Sequence, residues 1–552
     1  MRRPTVIMCA LGLLALLGMA CGSAESPAAG GQGGNDNPGG NAGTGGAPGG
    51  SGGAEQDAGG PDSADAPTCE SAGPVAPPLS FDPLAVIITS DSLAPAFDAY
   101  AQLHTLLGIP TRVVTTSEIC AGTCDDADAT RDTAALVKQW IQGQPALRYV
   151  ILGGDIEHVP SRKVHDRYQN PILVGYTFED DFFTDYYYAD FSPWDGNGDG
   201  VYAQDGVDFP DYRPEIAVSR ISASTPDEAD RYLEKVRRYL TAYDTSHVGK
   251  VLLLSNVATK FASFDIDGAW YFEAEGKTLS LLPPGSEVRR LYSTAMAGAE
   301  KNSVPKQIEA IESGYNLVVH SGHGAVKYLT AEYSVSDDMS GAMAHALENA
   351  TYPIFLSSAC EAGTFAADDS AGEMLMDAPE GGAIVYLGNA VTGLGLAGGM
   401  QMIDELLRYV QATPHPLLAD AVRVAHENMP EQDTFRIPFV NYDAPVVDRS
   451  SYEWTQKSVT LLGDILIPVW KGIVEPAATV TASARPTCEG TWIELAFQPP
   501  LVGVARVQAG TSTFELQVVQ GTAQLHVPGS PTTVTVGLAV PGRLATLAEL
   551  PL

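Results

Sequence analysis

Short aliphatic runs alternate with amphipathic stretches over most of the chain. The first run, Leu84 to Thr89, is followed by apolar residues at helical spacing from Ala94 to Leu107 and by a second run at Thr111 to Thr115. This order predicts a β-α-β opening. The alternation continues to about residue 429 and predicts a mainly parallel sheet with helices on both faces.

The alternation occurs twice over, which indicates two side-by-side α/β subdomains at residues 77–221 and 222–474. From Glu475 onward the pattern changes to alternating Val, Thr and Ala with frequent Pro and Gly. That sequence pattern is typical of a small immunoglobulin-like β-sandwich, which we predict over residues 475–552. The predicted fold class is therefore α/β, with two mainly parallel sheets flanked by helices and followed by the sandwich.

Residues 1–21 have the pattern of an export signal. Arg2 and Arg3 precede an apolar run, Leu11 to Leu17, that is too short to span a bilayer permanently. The segment Leu17 to Cys21 resembles a lipoprotein signal box, so we expect lipidation of Cys21 and membrane attachment, with ordinary secretion as the alternative. In either case the protein is expected to be exported, as a bacterial outer-membrane lipoprotein or an extracellular protein.

Residues 22–76 are rich in Gly, Ala and Pro, and up to Thr68 they include no aromatic residue and no aliphatic side chain larger than alanine. Such a segment cannot bury enough apolar surface to offset the entropy lost on ordering, and we interpret it as a disordered tether.

Composition narrows the classes of function. With 552 residues and 45% hydrophobic content the chain can build several folded units. Its formal net charge of -35 repels phosphate backbones and argues against nucleic-acid binding. The same acidity is compatible with an exported protein that holds calcium. No pattern indicates an organic cofactor.

The cysteine count predicts disulfides. Of seven cysteines, Cys9 lies in the export signal and Cys21 is the expected lipid carrier. Five remain: Cys69, Cys120, Cys124, Cys360 and Cys488. In an oxidising compartment the simplest arrangement pairs four of them. Cys120 with Cys124 closes a small loop, Cys69 with Cys488 joins the two ends of the folded region, and Cys360 is left over.

Two predicted strand ends carry reactive side chains. One strand runs into His320-Ser-Gly-His323-Gly324, and another into Ser358-Ala-Cys360. Side chains at the carboxyl ends of neighbouring parallel strands meet in one crevice. There His323 can activate the Cys360 thiol as a base, while the amides of Gly324 and Cys360 can form an oxyanion hole. A zinc site at His320, His323 and Cys360 is a less favoured interpretation, because no His-Glu-x-x-His motif is present.

Five segments follow one another in a characteristic order along the chain. They are Leu152-Gly-Gly-Asp155 with Val159-Pro160, a Tyr186 to Asp190 strand leading to Pro214 to Ile221, Gly322-His323-Gly324, Ser358-Ala359-Cys360 with Gly363 and Phe365, and Leu462-Gly463-Asp464 with Pro468. Over nearly all of residues 81–470 the chain thereby resembles the gingipain family of cysteine peptidases, whose fold is caspase-like. The resemblance implies Cys360 as nucleophile, His323 as general base and acid, and the Gly324 and Cys360 amides as oxyanion hole.

The resemblance has one departure and one implication for specificity. Where the family carries an acidic residue that orients the histidine, this chain has Ser255-Asn256-Val257-Ala258. The family also tends to select a basic residue on the acyl side of the cleaved bond through a buried carboxylate. Asp267 is the candidate for that role, with Asp265 as the competitor. The alternative is that both are ordinary loop or cap aspartates.

The loop after Trp194 predicts calcium. Asp195, Asn197, Asp199 and the Val201 carbonyl stand at alternate positions with a glycine at the sixth, as in the first half of a calcium loop. The glutamate expected at the twelfth position is replaced by Gly206, and Asp205 and Asp208 are candidate substitutes. A turn-rich loop without an ion is the alternative.

The functional hypothesis is a tethered or secreted cysteine endopeptidase that cleaves polypeptides, with preference for Arg or Lys. Two alternatives stay open. One is a non-catalytic calcium-dependent surface binding protein on a peptidase scaffold, and the other is a transpeptidase that uses the same Cys and His.

Overall fold

The structure, a computed structural model, describes residues 74–169, 177–260, 265–331, 338–366, 369–437 and 442–552. The predicted export signal, nearly all of the predicted tether, Cys21 and Cys69 lie outside the described residues. Within the described ranges no helix has both the length and the apolar character needed to cross a membrane.

The strands are numbered here in chain order. The first group is β1 (Ala85–Thr89), β2 (Thr111–Thr115), β3 (Tyr149–Gly153), β4 (Arg162–Gln169), β5 (Thr177–Thr184), β6 (Ala217–Ile221), β7 (Lys250–Ser255), β8 (Val257–Lys260), β9 (Asp265–Asp267), β10 (Glu287–Tyr292) and β11 (Glu300–Lys301). The second group is β12 (Leu317–Ser321), β13 (Gly324–Ala325), β14 (Tyr328–Thr330), β15 (Asp338–Ser340), β16 (Ile354–Ser357), β17 (Val385–Asn389), β18 (Asp433–Ile437), β19 (Tyr442–Val447) and β20 (Val459–Gly463). The C-terminal group is β21 (Thr479–Pro486), β22 (Gly490–Gln498), β23 (Gly503–Ala509), β24 (Ser512–Val518), β25 (Thr522–Pro528), β26 (Thr533–Leu538) and β27 (Thr546–Pro551).

The helices cover the faces and the connections between strands. They are α1 (Ala94–Leu106), α2 (Thr116–Cys120), α3 (Thr133–Gln142), α4 (Pro226–Thr241), α5 (Ala269–Phe272), α6 (Thr278–Leu281), α7 (Val304–Glu312), α8 (Gly341–His345), α9 (Ala371–Met376), α10 (Gly399–Ala412), α11 (Leu418–Asn428) and α12 (Arg449–Ser458). Three short 3-10 helices are Asp185–Tyr188, Thr245–His247 and Gly395–Ala397.

Eleven strands form one sheet in the order β11-β10-β7-β12-β16-β17-β20-β6-β3-β1-β2. Strands β10, β7, β12, β16 and β17 are parallel to one another, and so are β20, β6, β3, β1 and β2. The two groups meet where β17 pairs antiparallel with β20. The predicted α/β class is confirmed, and its two halves are joined edge to edge into a single sheet whose halves run in opposite directions.

One apolar core extends through both halves of this sheet, from Ala85 in β1 to Val474 beyond β20, and it also includes Leu544 just before β27. Four of its strands, β1, β7, β12 and β16, are buried at nearly every position, as expected for a parallel sheet covered on both faces. The β-sandwich has its own core between a three-stranded sheet (β21-β22-β25) and a four-stranded sheet (β24-β23-β26-β27).

The predicted strand from Tyr186 to Asp190 is wrong. Residues Asp185–Tyr188 form a 3-10 helix instead. The Thr184 hydroxyl accepts a hydrogen bond from the Tyr186 amide at 3.2 Å and caps this turn. Such local side-chain bonds compete with strand pairing, and here they outweigh the strand propensity of three consecutive tyrosines.

Candidate active site

The histidine loop begins where β12 ends at Ser321. His323 lies between this strand and β13, and its side chain is half-buried. The amide and the hydroxyl of Thr330 in β14 donate to the His323 carbonyl oxygen at 3.1 and 3.0 Å. The loop is therefore fixed by its own β-hairpin as well as by the large sheet.

The cysteine loop begins where β16 ends at Ser357. The Ser357 hydroxyl accepts from the Ala359 amide at 3.1 Å, and the Asn389 side chain donates to the Ala359 carbonyl at 2.9 Å. Cys360 is 3% exposed, and its Sγ lies 3.5 Å from the Gly393 carbonyl oxygen. The next residue, Glu361, has a φ of 55°, an uncommon conformation for a residue with a side chain and typical of strained functional loops.

The two loops contact each other. A methyl group added to Gly324 would lie 3.1 Å from the Cys360 carbonyl oxygen and 2.9 Å from the Ala359 side chain. The Ser358 amide also donates to the His320 carbonyl at 3.0 Å, which extends the pairing of β12 with β16 beyond the strand ends. The structure thus brings Gly324 and Cys360 together, as the pattern of strand ends predicted.

His320 lies within β12 and contacts Ser357 of the adjacent strand β16. It is 1% exposed, and its Nδ1 lies 2.9 Å from the Ser357 hydroxyl. Burial lowers the pKa of His320 to about 4, so its imidazole is neutral at pH 7. No group of three or more His, Cys, Asp or Glu side chains in the described ranges is arranged to hold a metal, so nothing favours the zinc interpretation.

The oxidation state of Cys360 differs from the expectation. Cys360 and Cys488 are both disulfide-bonded in this structure. The prediction that Cys360 is left unpaired is therefore wrong for this structure. Only a thiolate can attack a carbonyl carbon, so reduction of this bond must precede any chemistry at Cys360. The predicted pair Cys120–Cys124 is confirmed, with Cα atoms 5.0 Å apart.

Asp267 lies at the same edge of the sheet as His323. Its carboxylate is completely buried, with Oδ1 accepting from the Ser255 hydroxyl and the Ala269 amide, and Oδ2 from the Thr294 amide at 2.7 Å. No cation pairs with it among the described residues. Asp265 begins the same short strand, β9, opposite Lys260.

Glu361 was not singled out from the sequence. It follows Cys360 directly and is half-buried. Burial, together with the negative charge of Asp180 in β5, raises the pKa of Glu361. A β4-β5 hairpin therefore brings a second carboxylate towards the cysteine loop, and no local sequence pattern connects residues so far apart in the chain.

The predicted calcium loop is built from turns. Asp195 accepts from the amides of Gly198, Asp199 and Gly200 at 2.7 to 3.0 Å, and Asp199 accepts from the Val201 amide at 2.8 Å. The Asn197 side chain bridges to Asp199. These contacts order the loop, but three carboxylates do not converge in the described residues. Calcium binding, including the contribution of Asp205, stays a prediction.

Comparison with known proteins agrees with this architecture. Residues 79–470 match Peptidase family C25. The fold is similar to that of the Arg-specific cysteine proteinase gingipain R, with a TM-score of 0.59 and 15% identity over 85% of this chain and 98% of that one. It is also similar to the complex of the pro- and mature domains of RgpB from Porphyromonas gingivalis, with a TM-score of 0.57 and 16% identity over 85% and 99% of the two chains.

A curated protein of Archaeoglobus fulgidus, described as uncharacterized, is 23% identical over 403 residues, which cover 64% of this chain and 89% of that protein. The fold and the family match together define a gingipain-like cysteine peptidase. The chain belongs to peptidase family C25.

Proposed function

We propose that this protein is an endopeptidase in which Cys360 is the nucleophile and His323 the general base and acid. The observation that carries the proposal is the contact between the two loops, where Gly324 lies against the backbone of Cys360. This places two main-chain segments from adjacent parallel strands at one point of the crevice, which is where an acyl-transfer site needs its nucleophile and its oxyanion donors.

The reaction follows from these roles. His323 takes the Cys360 proton, and the thiolate sulfur attacks the carbonyl carbon of the substrate peptide bond. The amides of Gly324 and Cys360 stabilise the oxyanion that develops. When the C–N bond breaks, His323 donates its proton to the leaving amine. Water, deprotonated by His323, then releases the acyl group from the sulfur and restores the thiol.

The preference for Arg or Lys is part of the same proposal. A buried charge without a countercharge is costly, and Asp267 is a fully buried carboxylate whose three hydrogen-bond donors are all neutral. A carboxylate has about four acceptor sites, so Oδ2 retains room for one more donor. A guanidinium or ammonium group of the substrate supplies that donor, once neighbouring side chains move to admit it.

The proposal also includes export and attachment through Cys21, which the sequence alone supports. The 22–76 tether then allows the peptidase to range about 40 Å from the membrane. Replacement of Cys21 by serine should release an active enzyme from the membrane fraction. If equal fractions of the wild-type protein and the Cys21→Ser variant remain with the membrane, attachment through Cys21 is contradicted.

Peptide-library cleavage by the reduced protein tests the active site. Cys360→Ala and His323→Ala should each lower kcat by about 10³-fold or more without changing thermal unfolding. His247→Ala is the matched control, because His247 precedes β7 at the opposite edge of the sheet. Turnover by folded Cys360→Ala refutes the proposal. Transfer of the acyl group to an added amine in place of water identifies a transpeptidase.

The specificity is tested with an isosteric change. Asp267→Asn should lose most of the activity on Arg and Lys substrates and much less on neutral ones. Asp404→Asn is the control, since Asp404 is equally buried but bonds Tyr271 and Thr278. A library without basic preference, or a basic preference that Asp267→Asn leaves intact, contradicts the assignment.

A further inference from the structure

Asn256 follows the last residue of β7 and is completely buried. It occupies the segment where the resemblance leads one to expect an acidic residue that orients the histidine. The hydrogen bonds of Asn256 show how a side-chain amide acts at this position.

The Asn256 side chain is bonded to both sides of the histidine loop. Its Oδ1 accepts from the His323 amide at 3.2 Å. Its Nδ2 donates to the Thr330 carbonyl at 3.1 Å and to the Thr330 hydroxyl. Thr330 in turn donates from both its amide and its hydroxyl to the His323 carbonyl. The peptide groups before and after the His323 Cα are therefore both held, one by Asn256 directly and the other through Thr330.

The Asn256 backbone extends these contacts. Its amide donates to the Ser321 carbonyl, and its carbonyl accepts from the Gly268 amide, both at 3.2 Å. A methyl group added to Gly322 would lie 2.6 Å from the amide atoms of Asn256, so the glycine before His323 makes room for this side chain. One residue thus connects the histidine loop to the segment that carries Asp267.

We propose that Asn256, a residue with an uncharged side chain, is a positioning residue for His323 and holds it in place through the main chain. The inference rests on the proposed function, in which His323 is the general base. An amide is suited to this role because it offers an acceptor and donors at once, whereas a carboxylate offers only acceptors. A base held in a fixed geometry lowers the barrier of the proton-transfer step.

The test compares Asn256→Ala with Asn302→Ala. Asn302 is equally buried and bridges the Ser255 and Ala331 carbonyls next to the same strands. Its side-chain oxygen accepts from Gln307, and these bonds hold residues other than His323. Both variants should lose thermal stability. Only Asn256→Ala should lower kcat, by about 10- to 100-fold with KM within about threefold, because a small displacement of a catalytic group acts on the chemical step.

The pH profile of kcat/KM in Asn256→Asp distinguishes a positioning role from a purely structural role, because a purely structural role would leave that profile unchanged. The substitution keeps an acceptor for the His323 amide, loses the donor to Thr330 and adds a negative charge near the imidazole. A nearby negative charge raises the pKa of a histidine, so the acidic limb of the kcat/KM profile should move to higher pH. If Asn256→Ala does not fold, Thr330→Val and Thr330→Ser test the same contacts, and only the serine variant should retain activity.

Wild-type kcat and an unchanged pH profile in folded Asn256 variants overturn the inference. So does an equal loss of kcat in Asn302→Ala. Cys360→Ala measured in parallel separates the two proposals. Activity in that variant refutes the proposed function, whereas an inactive Cys360→Ala beside a fully active Asn256→Ala refutes only the positioning role.

Discussion

Replacing Gly324 by alanine should damage catalysis more than folding. The added methyl group would lie 2.9 Å from the Ala359 Cβ and 3.1 Å from the carbonyl oxygens of Cys360 and Tyr328. Non-bonded carbon atoms prefer about 3.5 to 4.0 Å, so the two loops must separate by roughly half an ångström. Gly324 does not have a positive φ, and the cost therefore comes from these contacts and not from the backbone conformation.

Overpacking of this kind costs about 1 to 3 kcal/mol of unfolding free energy. The proposed oxyanion donors at Gly324 and Cys360 move apart by the same shift, and loss of one such donor lowers kcat by about 10²- to 10³-fold. We expect a fall in kcat of about 10- to 100-fold, measured on a peptide substrate beside thermal unfolding.

Gly249→Ala is the matched control, because a methyl group there meets no atom within 4 Å. It should leave kcat and the melting temperature unchanged. A folded Gly324→Ala protein with wild-type kcat would show that the contact between the loops is unrelated to catalysis.

Three further outcomes are expected. Because Cys360 is disulfide-bonded, peptidase activity should require a thiol reductant, and equal rates with and without dithiothreitol contradict this. If calcium binds the 195–201 loop, it should raise the melting temperature by mass action and Asp199→Ala should remove the response; identical melting curves in chelator and in calcium argue against the site. Burial raises the pKa of Glu373 to about 7. The neutral carboxyl group therefore stabilises the fold at low pH, and this stabilisation is lost as the pH rises from about 4.5 through 7. Relative to wild type, the melting temperature of Glu373→Gln should be higher at pH 8 than at pH 5.

The strands of the large sheet could be predicted because their burial is continuous. β1, β12 and β16 are short aliphatic runs that are buried in the sheet. The structure places β1 within one residue of the predicted run, and β12 and β16 lead into the His320 and Ser358 motifs as predicted. The approach of Gly324 to Cys360 followed from the rule that carboxyl ends of parallel strands share an edge. Neither prediction needed long-range information.

Features that depend on residues distant in the chain could not be predicted. No local pattern shows that β20 returns antiparallel to β17 and joins the two halves into one sheet. The same holds for the approach of Glu361 to Asp180 and for the bonds of Asn256 to His323 and Thr330. Such contacts depend on how whole helices and strands pack against one another, and they cannot be predicted from residue propensities or motif spacing.

The most direct test of the central claim is selective alkylation of the reduced protein, read by mass spectrometry. Iodoacetamide at neutral pH should modify Cys360 first, and activity should fall in proportion to that modification, because the proposed role of His323 as base increases the nucleophilicity of the Cys360 thiol. His323→Ala should slow the labelling strongly while His247→Ala leaves it unchanged. Full activity after complete alkylation of Cys360 would contradict its role as the nucleophile.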